Sequence, residues 1–69
     1  MNIKVNGKKE LIEFSKEKIT LKDTMDYLGY REDNVIVELN NLIINSENWS
    51  LNNIEEGDKI EIVSIVGGG

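Results

Sequence analysis

A chain of 69 residues without a single cysteine must hold itself together on one hydrophobic core. Disulfides, thiolate metal sites and thiol nucleophiles are excluded together, and a chain this short buries only about 60% of the surface its unfolded form exposes. One domain over residues 1–66 is expected, with residues 67–69 as a glycine tail. Hydrophobic residues make up 39% of the sequence and are spread along it, which suits a globular domain rather than a disordered segment.

The charge narrows the partners. Thirteen Asp and Glu against eight Lys and Arg give a net charge of −5, the wrong sign for a nucleic-acid binder that works through phosphate contacts. A protein partner with a basic surface suits it better. Histidine is absent as well, so only carboxylates could hold a metal, and the acidic residues lack the spaced pattern of a calcium loop. No apolar run approaches the roughly 20 residues that cross a bilayer. The opening "MNIKVNGKKELIEF" alternates like a strand instead of showing a charged segment before an apolar one. A cytoplasmic protein with no membrane partner is expected.

Local signals give the order of elements. Asn6 and Gly7 are the preferred pair for a type I′ turn, so "IKVNGKKELIEF" is expected to be a hairpin with Ile3 and Val5 facing inward. On its second arm Leu11 and Ile12 are adjacent, and the register stays open. In "TLKDTMDYLGY", Thr20 is a candidate N-cap with Asp23 three residues on. Leu21, Met25 and Leu28 share one helical face, and Gly29 suits the position after the last turn. "VIVEL" is a strand, and Asn40 and Asn41 form a turn into the short strand of "LII". "NSENWSLNN" has the look of a loop or single helical turn pinned to the core by Trp49 and Leu51, with Trp49 a core plug. A final strand is expected from Lys59 to about Val66.

This order predicts an α+β domain, a mixed sheet of four to five strands with one main helix packed on one face. A crossover helix after an opening hairpin is the β-grasp arrangement, in which the first and last strands lie side by side. Along the last strand, Ile60, Ile62, Ser64 and Val66 alternate with Glu61, Val63 and Ile65. With Ile60 and Ile62 toward the helix, Val63 and Ile65 form an apolar patch on the opposite face, next to Gly67, Gly68 and Gly69. Three glycines reach about 10 Å and pass through a slot too narrow for other residues. They would deliver the carboxylate of Gly69, which a nucleotidyltransferase can convert to an acyl-adenylate open to attack by sulfur or an amine. Glu55, Glu56 and Asp58 surround Gly57 in a turn and, like Glu32 and Asp33, are expected to be solvated. No nucleophile and base pair is evident.

In "EGDKIEIVSIVGGG", "VIVELNNLIINSENW" and "NGKKELIEF" the chain resembles the ThiS family, the sulfur carriers of thiamine biosynthesis within the ubiquitin-like β-grasp group. The resemblance covers nearly the whole chain. It implies a carrier rather than an enzyme, with no cofactor bound by this chain. A ThiF-like adenylyltransferase would adenylate Gly69 with ATP and Mg²⁺, while Gly67 and Gly68 enter its active site and Val63, Ile65 and Val66 dock. A cysteine desulfurase or other sulfur donor would feed a persulfide relay that makes the thiocarboxylate, and a ThiG-like thiazole synthase would accept the sulfur. Where many members carry Pro-Arg, this chain has Asn45 and Ser46, so a contact through that Arg is not carried over. The alternatives are the small subunit of molybdopterin synthase, a ubiquitin-like protein modifier, and a binding module without covalent chemistry.

Overall fold

Asn6 and Gly7 both take positive φ, 50° and 81°, the geometry that joins two twisted strands by a two-residue turn. The computed structural model describes residues 1–65. In it that turn connects β1 (Asn2–Val5) to β2 (Lys8–Leu11), with Val5 opposite Lys8 and Ile3 opposite Glu10. Ile3 and Val5 are buried as expected, and the open register closes with Ile12 in the core and Leu11 exposed. Met1 secures the end of the arm, its amino group donating to Ile12 O at 2.7 Å.

A two-residue strand β3 (Ile19–Thr20) leads directly into α1 (Leu21–Leu28). The helix starts where the sequence signals it: Asp23 N donates to Thr20 Oγ1 and Thr20 N donates to Asp23 Oδ2, both at 3.0 Å. It stops at Gly29, whose φ of 88° is left-handed. Leu21 and Met25 are fully buried, with Leu28 at the margin of the core. Thr24 is buried too, its hydroxyl donating back to Thr20 O at 3.1 Å. Outside the core, the Tyr27 ring rests on Phe14 with centroids 5.3 Å apart, while Tyr30 packs against the core.

Lys16 lies 2.8 Å from Asp23 and holds its carboxyl below the ordinary value, with the Thr20 N–H adding to the effect. A depressed carboxyl favours the folded state fully above its unfolded pKa, about 4, and that contribution fades as pH falls through the folded value. Asp23→Ala is expected to cost about 1 kcal/mol at neutral pH. In urea titrations repeated at decreasing pH, its difference from the wild type should shrink below about pH 4.

Strand β4 (Val35–Leu39) turns through Asn40 and Asn41, at φ 50° and 74°, into β5 (Leu42–Ile44). A 3-10 helix (Ser46–Leu51) follows, then β6 (Asn53–Ile54) and β7 (Lys59–Ser64). The five-stranded sheet has the order β2-β1-β7-β4-β5, and β1 pairs with β7 in parallel. This is the expected β-grasp arrangement, with α1 covering one face. Ile3, Val5, Val35, Val37, Ile60 and Ile62 line that face beneath Leu21 and Met25.

Three details differ from the sequence expectation. β3 and β6 form a separate two-stranded antiparallel sheet. Trp49 alone pins the segment after β5: it is 1% exposed, and its indole N–H donates to Ile44 O at 3.0 Å, whereas Leu51 is 77% exposed. Three residues per turn explain this, because a side chain two positions after Trp49 points away from the core. Finally, β7 ends at Ser64 rather than near Val66, because its partner β4 begins at Val35, directly opposite Ser64. The boundary between residues 66 and 67 lies outside the described residues.

Candidate functional site

Alternation along β7 sorts its side chains between two surfaces. Ile60 and Ile62 are buried under the helix, while Val63 and Ile65 are 58% and 47% exposed on the opposite side, as their spacing predicts. Ser64 points with the inward set but lies exposed at the end of the strand. The neighbouring strand extends the patch. Ile36 stands directly opposite Val63 and is 46% exposed, and Ile43 of β5, opposite Glu38, is also exposed.

Ile36 and Ile43 were not singled out from the sequence, although a signal existed. In "VIVEL" the inward Val35 and Val37 require Ile36 to face outward. The result is an apolar band formed by Val63, Ile65, Ile36 and Ile43 at the end of the sheet that leads toward residue 66. Val66, Gly67, Gly68 and Gly69 lie outside the described residues.

Two anchors hold β7 in this register. On the β4 side, Ile65 N donates to Asn34 O at 2.7 Å. On the other side β1 has already turned away, and the Asn6 side chain takes its place. Asn6 Oδ1 accepts from Ile62 N at 2.6 Å and Asn6 Nδ2 donates to Ile62 O at 3.2 Å, the two bonds that a neighbouring strand would make. One residue therefore shapes the hairpin turn and fixes the last strand. The Asn-Gly pair signals the first role in the sequence, but the second depends on β1 and β7 being adjacent.

The acidic cluster around Gly57 serves the backbone. Both Glu56 carboxylate oxygens accept from Asn2 N, at 3.0 and 3.1 Å, and Asp58 Oδ2 accepts from Glu55 N at 2.7 Å. Asp58 Oδ1 accepts from Asn40 Nδ2 at 3.1 Å, which ties this turn to the β4–β5 turn. Glu32 and Asp33 are exposed, and Asp33 lies 3.6 Å from Arg31. Among the described residues, no group of three His, Cys, Asp or Glu side chains could hold a metal ion, and no helix is long and apolar enough to cross a membrane. Asn45 and Ser46 line a shallow hollow with Glu32, Ile36 and Ile43, beside the apolar band.

The model of the ThiS family matches residues 2–69. An uncharacterized protein, ycf40, of Trieres chinensis is 45% identical over 51 residues, covering 74% of this chain and 70% of that one. The ycf40 protein of Pyropia yezoensis, also uncharacterized, is 33% identical over 69 residues, covering 100% of this chain and 93% of its own. Among solved structures, the crystal structure of the thiamine biosynthesis protein ThiS from Geobacter metallireducens superimposes with a TM-score of 0.81 at 28% identity, covering both chains completely.

Proposed function

This chain belongs to the ThiS family, and from that membership and the outward-facing end of β7 we propose that it carries sulfur in thiamine biosynthesis. It is a substrate of enzymes rather than an enzyme. The observation that carries the reading is the family match, which runs through residue 69 and so includes Gly67, Gly68 and Gly69.

The cycle begins when a Gly69 carboxylate oxygen attacks the α-phosphorus of ATP within a ThiF-like adenylyltransferase. Pyrophosphate leaves and an acyl-adenylate forms, with Mg²⁺ held by that enzyme. A persulfide charged by a cysteine desulfurase or another sulfur donor then attacks the acyl carbon and expels AMP. A second thiol cleaves the new sulfur–sulfur bond and is oxidised to a disulfide, leaving the thiocarboxylate on Gly69. A ThiG-like thiazole synthase accepts that sulfur.

The division of labour suits the residues present. With no cysteine in the chain, no side-chain thiol competes for the activated carbonyl. Val63 and Ile65, with Val66 beyond them and Ile36 and Ile43 beside them, supply the apolar contact that holds the domain while the glycines enter the active site. Three residues without side chains span about 10 Å, enough to place the reacting carboxylate inside a partner.

Intact-mass measurement tests this. After incubation with the adenylyltransferase, ATP, Mg²⁺, cysteine and a cysteine desulfurase, the protein should gain the mass difference between sulfur and oxygen. Unchanged mass in the presence of an enzyme active on another carrier would overturn the proposal.

A further inference from the structure

Asn6 and Gly7 form the only Asn-Gly pair in the sequence, and such a pair carries a chemistry of its own. The Gly7 backbone nitrogen, once it has lost its proton, can attack Cγ of the preceding carboxamide. A bond forms between Gly7 N and Asn6 Cγ, the Cγ–Nδ2 bond breaks, and ammonia leaves behind a five-membered succinimide. Water then opens the ring on one side or the other. Cleavage of the new N–Cγ bond leaves aspartate, whereas cleavage of the original peptide bond leaves isoaspartate, with the main chain running through Cβ and Cγ. No electron is transferred, and the net change is one water consumed for one ammonia released. Glycine favours the attack because no side chain shields its nitrogen. The space beside Gly7 is open too, since nothing from the rest of the described residues lies within 4 Å of where a Cβ would stand.

The folded turn holds the reacting atoms apart. Its φ values of 50° and 81° are those of a type I′ turn, which sets ψ of the first residue at about 30°. At that ψ, Gly7 N lies almost opposite Cβ across the Cα–C bond, whereas ring closure needs the two eclipsed. Asn6 must therefore rotate through roughly 150° before Cγ can reach the nitrogen. Its bonds to β7 oppose that rotation. Asn6 N donates to Ile60 O at 2.9 Å, Asn6 Oδ1 accepts from Ile62 N at 2.6 Å, and Asn6 Nδ2 donates to Ile62 O at 3.2 Å. The nitrogen that must leave as ammonia is itself bonded to the last strand.

We propose that Asn6 is a covalent modification site gated by β7. The carboxamide reacts only in the minor state in which the turn has come away from Ile60 and Ile62, so its rate follows how often that state is visited. Whatever clamps β7 protects Asn6, and whatever loosens β7 exposes it. The product then hinders the return. Isoaspartate adds a main-chain atom to a two-residue turn that sets Val5 directly opposite Lys8, and the turn cannot absorb it without losing that register. Aspartate keeps the acceptor for Ile62 N but loses the donor, and it sets a carboxylate oxygen against Ile62 O. With isoaspartate in place, β7 beyond Ile60 is held from the β4 side, through Val63 opposite Ile36 and the bond from Ile65 N to Asn34 O. The strand so loosened is the one that bears Val63 and Ile65.

The test is peptide mapping of the full chain kept folded in mildly alkaline buffer at physiological temperature, against the same chain unfolded in urea. Trypsin cuts after Lys4 and Lys8 and so releases Asn6 in the peptide from Val5 to Lys8. Chromatography separates its aspartate and isoaspartate forms, and an isoaspartyl methyltransferase labels the second. Deamidation in the folded chain should be slower by about tenfold or more, because two or three hydrogen bonds must open first. Amide hydrogen exchange then separates the tie to β7 from folding in general. Asn6→Gly accepts the positive φ and cannot form the ring. Its Ile62 amide should exchange about tenfold faster than in the wild type, while that of Val63, opposite Ile36, changes far less. The isolated isoaspartyl protein should show the same pattern. Equal deamidation rates in the folded and unfolded chain would overturn the gate, and an Ile62 amide indifferent both to Asn6→Gly and to isoaspartate would overturn the tie. Neither measurement involves sulfur loading, so the carrier reading stands or falls separately.

Discussion

Replacing Trp49 by alanine is expected to leave the domain largely unfolded at physiological temperature. The indole is among the largest fully buried side chains, lying beneath the 3-10 helix among Leu21, Met25 and the inner face of the sheet. Truncating a buried aromatic costs about 3–5 kcal/mol. The same change removes the donor to Ile44 O, the bond that closes the segment after β5 onto its own strand. A domain of this size has a total stability of only about 3–10 kcal/mol, so the loss is comparable to the whole. Far-UV circular dichroism in a urea titration measures it without depending on tryptophan emission. Trp49→Phe separates the contributions, since it keeps most of the packing and loses the hydrogen bond, for about 1–2 kcal/mol. An alanine variant with an unchanged urea midpoint would show that the core closes without the indole.

The elements that could be read from the sequence are those whose signals are local. Asn6-Gly7, the Thr20 and Asp23 pair, Gly29 and Asn40-Asn41 each constrain their own backbone, and each appears where the residues indicate. The period of two in "KIEIVSI" was equally direct, because one face of β7 is buried and a slip of one residue would expose Ile60 and Ile62. What escaped sequence reading depends on residues far apart in the chain. β3 and β6 pair through only two residues each, too few for a periodic signal, across a separation of more than thirty residues. The exposure of Leu51 follows from the 3-10 geometry, which polar composition around a tryptophan does not distinguish from an ordinary loop.

The candidate site divides in the same way. Val63 and Ile65 could be assigned outward from their own strand, whereas Ile36 and Ile43 join them only through the β4–β7 and β4–β5 registers. The register also groups Lys4, Lys9 and Lys59 on the same outer face, and that grouping is further from sequence reading still, since they come from three strands and from both ends of the chain. Whole-chain charge obscured it. The acidic residues that dominate the total lie largely on the helix and in the turns, where Asp23, Glu56 and Asp58 hold backbone groups. The proposed docking residues lie on the sheet face opposite the core, while the face under the helix is occupied by packing.

That separation makes a sharp prediction for Val63→Asp. The side chain is 58% exposed, so the folded state loses little beyond strand propensity and its pairing with Ile36, about 1 kcal/mol. The partner loses more, because a carboxylate would have to be desolvated against an apolar surface within the proposed docking site. The expected result is a fall of about 30-fold in kcat/KM for sulfur loading, equivalent to about 2 kcal/mol, with KM carrying most of it. Val63→Thr, which keeps the branched shape without the charge, should lose far less. A chain truncated after Gly67 should behave in the opposite way. It keeps the described domain and the docking band, so it should still bind the activating enzyme and compete with the full-length protein. Yet it presents its carboxylate about 7 Å short of the reacting position and should gain no sulfur at any concentration. Loading that survives truncation would place the chemistry elsewhere than Gly69. Loading lost in both variants, with no competition by the truncated chain, would mean that the glycines themselves, and not the apolar band, supply the binding.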